Sequence, residues 1–152
     1  MATEHEVHVS VEETGVSVLQ QQVTVGAHHF LADEPVALGG AGTGPNPYEL
    51  LLSALGACTS MTLRMYAARK QMPLERIRVA LSHRKVPAAD CPDCETREGL
   101  VDVIERQIEL VGPLDDEQRA SLMRIADRCP VHRTLNSEVR IRTTETPATP
   151  TA

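Results

Sequence analysis

The chain has no tryptophan, one phenylalanine and two tyrosines in 152 residues. So few rings leave little to stack on unpaired bases, and a packed interior must be assembled from Leu, Val, Ile, Ala and Met. A basic cluster is also missing: 15 Lys and Arg stand against 21 Asp and Glu, a formal charge of −6. A phosphate backbone asks for the opposite sign, so nucleic acid is set aside as a partner. No lysine or arginine precedes Arg64. The first residues, Met-Ala-Thr-Glu-His-Glu, have neither the basic nor the apolar region of an export signal. The longest uncharged apolar run, Leu50–Leu63, is too short and too rich in Ser and Thr to span a bilayer. A cytoplasmic protein that does not engage a membrane is expected. In that reducing setting the four cysteines read as reactive thiols or metal ligands before structural disulfides.

The length suits a single domain, residues 1–143, with a Thr- and Pro-rich tail at 144–152 expected to be disordered. Val7, Val9 and Val11 alternate with polar residues, Glu13-Thr14-Gly15 is a turn, and Val16, Val18, Val23 and Val25 continue β character. Gly26 permits a reversal into His28–Leu31, which predicts a three-stranded antiparallel meander. A glycine-rich connector, Leu38–Gly44, follows; it lacks the lysine of a phosphate loop and is either a plain surface loop or the lining of a site.

Asn46, Pro47 and Glu49 are the cap, first position and capping-box partner of a helix running to about Lys70. With no charge between Glu49 and Arg64, this helix is expected to be covered on most faces, and Gly56 implies a close backbone approach. Strands are predicted at Glu75–Val86 and Val103–Val111. Asp115 and Gln118 open a helix whose apolar stripe is Leu122, Ile125, Ala126 and Cys129, which Pro130 ends or redirects. A last strand is expected at Val139 and Ile141. The order βββ-α-ββ-α-β is an α+β arrangement.

Cys58 lies in the apolar helix and Cys129 on the inward stripe of the later one. Two readings stand open. Both are packing residues, or the fold joins an attacking thiolate to a resolving thiol for redox chemistry. Arg128, close behind the stripe, suits a helix C-terminus. Cys91-Pro92-Asp93-Cys94 is a separate feature. It reads as two exposed thiols, at times bridged, or as half a zinc site with His83 as a third ligand and Cys129 or His132 as a fourth. Asp90, Asp93 and Glu95 would raise the pKa of these thiols.

The segment Gly44-Pro45-Asn46-Pro47-Tyr48-Glu49-Leu50-Leu51-Leu52-Ser53-Ala54-Leu55-Gly56-Ala57-Cys58, with the distant Cys129-Pro130-Val131-His132, resembles the OsmC/Ohr family of thiol-dependent peroxidases. The resemblance implies an OsmC-like fold in which antiparallel sheets wrap a buried central helix. It also implies an intertwined homodimer with two sites at the subunit interface. The implied activity is reduction of organic hydroperoxides, lipid or alkyl, in oxidative stress defence, with electrons returned by a thiol reductant and no cofactor. By that match Cys58 is the peroxidatic thiol and Cys129 the resolving one. Tyr48, Glu49 and His29 are the candidate substrate-binding residues. Family peroxidases place a glutamate directly after Asn-Pro, where this chain has Tyr48, and an arginine in the N-terminal strands, where it has His28 and His29. The rival reading is a metal-binding or redox-sensing module built on His83, Cys91 and Cys94, with peroxidase activity lost.

Overall fold

The structure, a computed structural model, describes residues 6–148. Three strands, β1 (Ser10–Glu13), β2 (Gln21–Val25) and β3 (His28–Ala32), form an antiparallel sheet in the order β1-β2-β3. The register pairs Val11 with Val23 and Val23 with Phe30, so the expected meander is present. Gly26, at φ +58°, makes the two-residue reversal between β2 and β3 that a residue with a Cβ would strain.

Val16 and Val18 do not extend β1 or β2 as expected. They sit exposed in a loop that Thr14 closes by donating from its N–H to the Gln20 carbonyl at 3.2 Å and from its hydroxyl to Gln20 Oε1 at 2.7 Å. The chain has to turn back here for β2 to lie antiparallel on β1, and that reversal outweighs the local propensity of two valines.

The helix α1 spans Pro47–Arg69, with the capping box in place: the Glu49 N–H donates to Asn46 Oδ1 (2.9 Å) and the Asn46 N–H to Glu49 Oε2 (2.8 Å). A two-stranded sheet of β4 (Arg76–Pro87) and β5 (Leu100–Val111) follows, then α2 (Asp116–Ala126) and a short α3 (Pro130–Leu135). Asp115 and Gln118 cap α2 reciprocally as expected. The expected strand at Val139 and Ile141 is not formed; past α3 these residues are 57% and 88% exposed, without a neighbouring strand to pair with among the described residues. Residues 144–148 carry no regular structure, and 149–152 of the expected tail lie outside the described residues.

Contacts divide the chain into two compact units. One is the segment up to Gly56 with Ala80–Gln107. Here the glycine-rich connector is tied down around one carboxylate. Asp33, almost inaccessible, accepts from the N–H of Glu34, Ala41 and Thr43 and from the Thr43 hydroxyl at 2.7 Å. The Thr43 hydroxyl does most to hold its pKa below the ordinary carboxylate value. Gly44 passes so close that an added Cβ would lie 2.0 Å from the Leu31 carbonyl oxygen. At Gly56 the expected close backbone approach is not found; a Cβ there would meet the end of a side chain, Leu81 Cδ1 at 2.8 Å, and no backbone of another segment within 4 Å.

The other unit is Ala57–Val79 with the segment from Ile108 onward. Its core is Leu63, Ala67, Leu74, Leu114, Leu122 and Ala126. Arg119 ties α2 to the end of β5 by donating to the carbonyls of Leu110 (2.8 Å) and Gly112 (3.1 Å), and the Tyr66 and Ser121 hydroxyls meet at 3.0 Å. Along α1 the buried positions Leu55, Thr59, Leu63 and Ala67 recur every four residues. That is one stripe, narrower than the expected cover on most faces. Leu51, Met61 and Met65 are exposed, the two methionines at 64% and 73%.

Candidate active site

Cys58 is half-buried on α1, one position before the buried Thr59. Cys129 is fully buried, but it does not lie in the last turn of α2 as expected. That helix ends at Ala126 with Asp127 as its C-cap, and Cys129 is the N-cap of the separate helix α3, with Pro130 at its first position. Proline suits that place because its missing N–H costs no bond there. The redirection by Pro130 is therefore the start of a new helix.

The new start organises the sulfurs. The first two amides of α3 after Pro130 are those of Val131 and His132. The Val131 N–H donates to Cys58 Sγ at 3.5 Å, and the His132 N–H to Cys129 Sγ at 3.3 Å. Cys58 and Cys129 lie close enough for the second thiol to act on the ionisation of the first, and the Thr59 hydroxyl donates to Cys129 Sγ at 3.7 Å. Residues 71 positions apart in sequence thus place two thiols side by side.

Burial is the largest influence on Cys58 and pushes its pKa above the ordinary thiol value. The Val131 amide and the Thr62 hydroxyl pull it down, while the neighbouring Cys129 pushes it up. None of these influences is a cation. The absence of Lys and Arg before Arg64 has this consequence: no N-terminal guanidinium is available to hold a thiolate.

An open groove of about 760 Å³ is lined by Thr62, Met65, Tyr66, Ala68, Arg69, Ile125, Arg128 and Pro130, with neither cysteine in its wall. Thr62 is one turn beyond Cys58, and Pro130 adjoins Cys129. The Arg69 guanidinium lies 5.7 Å from the centre of the Tyr66 ring. Arg128 follows α2, as its sequence position suggested, and also forms part of this groove.

A sequence model of the family described as OsmC-like protein matches residues 40–144. The chain belongs to the OsmC-like family. Solved structures of similar fold include an OsmC-like protein from Mycoplasma pneumoniae, with a TM-score of 0.69 at 18% identity, covering 88% of this chain and 89% of that one. An organic hydroperoxide resistance protein from Elizabethkingia anophelis gives 0.65 at 18% identity, over 88% and 90% of the two chains. The organic hydroperoxide resistance protein OsmC from Legionella pneumophila gives 0.63 at 19% identity, over 88% and 90%. No curated relative matches by sequence. The α+β, OsmC-like architecture expected from the resemblance is therefore present.

The remaining candidates of this OsmC-like chain each have a local partner. Glu49 is bound into the capping box of α1. Tyr48 stacks on His83, ring centres 4.4 Å apart and planes 9° from parallel. His29, exposed on β3, bonds through Nδ1 to the Thr24 hydroxyl at 3.1 Å. His83 Nε2 meets Asp102 Oδ1 at 2.7 Å, and Lys85 Nζ meets the same oxygen at 2.7 Å, holding the Asp102 pKa low.

Cys91 and Cys94 are joined as a disulfide, the bridged form of the two-thiol reading, and both are half-buried where exposed thiols were expected. Within the described residues the one group with metal-ligand spacing is Cys91, Asp93 and Cys94; His83 is not part of it. No helix of the described residues is long and apolar enough to cross a membrane.

Sequence reasoning missed Thr59, Thr62 and the two α3 amides. The threonines were visible one and four positions after Cys58, polar groups in an apolar run that needed partners. The amides had no side-chain signal beyond Pro130.

Proposed function

We propose that this protein is a thiol-dependent peroxidase that reduces organic hydroperoxides in oxidative stress defence. The contact between Cys58 and Cys129 under the amides of Val131 and His132 carries this reading. The Cys58 thiolate attacks the terminal oxygen of ROOH and the O–O bond breaks. The alkoxide takes a proton and leaves as ROH, and Cys58 becomes a sulfenic acid. Cys129 then attacks that sulfur, water departs, and a Cys58–Cys129 disulfide closes. Two equivalents of thiol return both cysteines to the reduced state. The apolar wall of Met65, Tyr66 and Ile125 suits an alkyl chain, and Arg69 and Arg128 suit a polar head at the rim.

The working unit is a homodimer, acting in the cytoplasm. Met61 and Met65 on α1, Val7 and Val9 ahead of β1, and Val139 and Ile141 past α3 carry apolar side chains that a single chain leaves in water. The terminal pairs keep strand spacing and suit pairing with a partner sheet.

Turnover of cumene hydroperoxide with dithiothreitol, wild type against Cys58→Ser, tests the chemistry. Loss of turnover in the variant and a Cys58–Cys129 disulfide in peroxide-treated wild type are expected. Equal rates in the two proteins would reject the assignment.

A further inference from the structure

The Cys91–Cys94 bridge has no part in that chemistry, and its architecture is unusual for a staple. It spans three positions inside one turn, with Cα atoms 5.4 Å apart, and ties no two elements together. The loop between β4 and β5 is already closed without it, by the Ala88 N–H donating to the Gly99 carbonyl at 2.8 Å. A cross-link that encloses so short a loop removes little entropy from the unfolded chain. Both cysteines are half-buried, while Pro92, Asp93 and residues 95–100 are exposed, so an external thiol can reach the sulfurs. The loop is acidic: Asp90, Asp93, Glu95 and Glu98 stand against Arg97 alone between 88 and 99. Cys91 Sγ lies 3.5 Å from Asp93 Oδ1.

We propose that Cys91–Cys94 is a second thiol–disulfide exchange centre, reduced by small thiols of positive or neutral charge. A thiolate RS⁻ attacks one sulfur of the bridge, the S–S bond breaks, and the released cysteine takes up a proton. A second RS⁻ attacks the R-bearing sulfur of the mixed disulfide, freeing the other cysteine and RSSR. Two RSH lose two electrons and two protons, and the bridge gains both. The carboxylates repel a thiolate that carries a further negative charge and admit one whose ammonium group balances the sulfur, a preference that salt screens.

The test follows the Cys91–Cys94 peptide by mass after acid quench and alkylation, in full-length wild type and in Cys58→Ser. The reductants are cysteamine, positively charged, and 3-mercaptopropionate, negatively charged. The folded protein is expected to be reduced at the bridge by both. Cysteamine should be favoured per thiolate by about fivefold more at low ionic strength than at high, equally in the two proteins. The melting midpoint should fall by no more than about 7 °C on reduction, leaving the protein folded at room temperature, since a bridge closing so short a loop removes less entropy from the unfolded chain than a long-range one. A bridge that opens only on unfolding would overturn the proposal, as would a cysteamine preference that salt does not change. So would retention of one zinc ion per chain by the reduced protein with both thiols shielded from alkylation. Dependence of the bridge's reduction on Cys58 would also overturn its independence, whereas loss of peroxide turnover alone bears only on the proposed function.

Discussion

Replacing Cys129 by serine and by alanine separates two roles that one sulfur combines. Cys129 is the N-cap of α3, accepting from the His132 N–H at 3.3 Å, and it touches Cys58 as the proposed resolving thiol. Serine keeps an acceptor at the cap and is a preferred residue there; alanine keeps none. Loss of an N-cap acceptor costs about 0.5–2 kcal/mol, and sulfur is a weak acceptor, which points to the lower half of that range. Removing a fully buried sulfur adds a small cavity cost, so Cys129→Ala should lose about 1–2 kcal/mol. For a chain of this length that is a fall of roughly 3–7 °C in melting midpoint. Cys129→Ser should stay within about 0.5 kcal/mol of wild type. Both variants should fail to form the disulfide with Cys58 and should accumulate Cys58 sulfenic acid, trapped with dimedone after one equivalent of peroxide. Thermal unfolding under reducing conditions reads the first effect and mass spectrometry the second. A serine variant destabilised as much as the alanine variant would refute the capping argument while leaving the redox pairing intact.

The raised pKa of Cys58 gives a sign for pH dependence. Its folded-state pKa exceeds the unfolded one, so its contribution to stability is complete below the ordinary thiol range and is lost as pH climbs through the folded value. Its alkylation by iodoacetamide should still be accelerating above pH 9; a plateau below pH 7 would contradict the burial argument. Met61→Glu, outside the groove, should convert a dimer of twice the 16.6 kDa chain mass to monomer in light scattering. Two methionines leaving a buried interface forfeit roughly 3–6 kcal/mol per dimer, at least about a hundredfold in affinity. Glu49→Gln should preserve both melting midpoint and turnover, because glutamine also completes a capping box; a large loss of turnover alone would restore a substrate role to Glu49.

What the sequence made legible is what short stretches decide for themselves. Gly26 and the flanking valines specified a hairpin, Asn46-Pro47 with Glu49 specified the start of α1, and Asp115 with Gln118 the start of α2. Each signal is a local bond or a local dihedral. Val139 and Ile141 have strand chemistry as well, yet a strand exists only where another backbone takes its N–H and C=O groups. Asp33 shows the opposite case. Nothing in Ala-Asp-Glu announces that amides eight and ten residues away will converge on its carboxylate, and so a glycine-rich segment that looked loose is anchored. The cysteines lay between these extremes. Their separate positions on apolar elements were readable, and their contact was an inference from family likeness. The new helix beginning at Pro130 was disguised by an apolar stripe that continues smoothly from Leu122 to Cys129 although α2 stops at Ala126.

That new helix also bears on which step limits the chemistry. Two neighbouring amides of α3 point at two sulfurs, which supplies a thiolate with donors but no full charge. Hydrogen bonds to an ionised group are worth about 1.5–3 kcal/mol each, yet burial and the adjacent thiol outweigh them at Cys58, whose pKa is raised. Thiolate is therefore scarce at neutral pH, and in the proposed reaction attack on the peroxide is the slow step. The resolving thiol is already in contact, so closure of the disulfide is an intramolecular step with its entropy cost met by the fold. Slow attack followed by fast closure means that the sulfenic acid does not build up in wild type. Turnover should then rise in proportion to peroxide and stay indifferent to dithiothreitol concentration; turnover proportional to dithiothreitol and indifferent to peroxide would place the slow step in reduction of the disulfide instead.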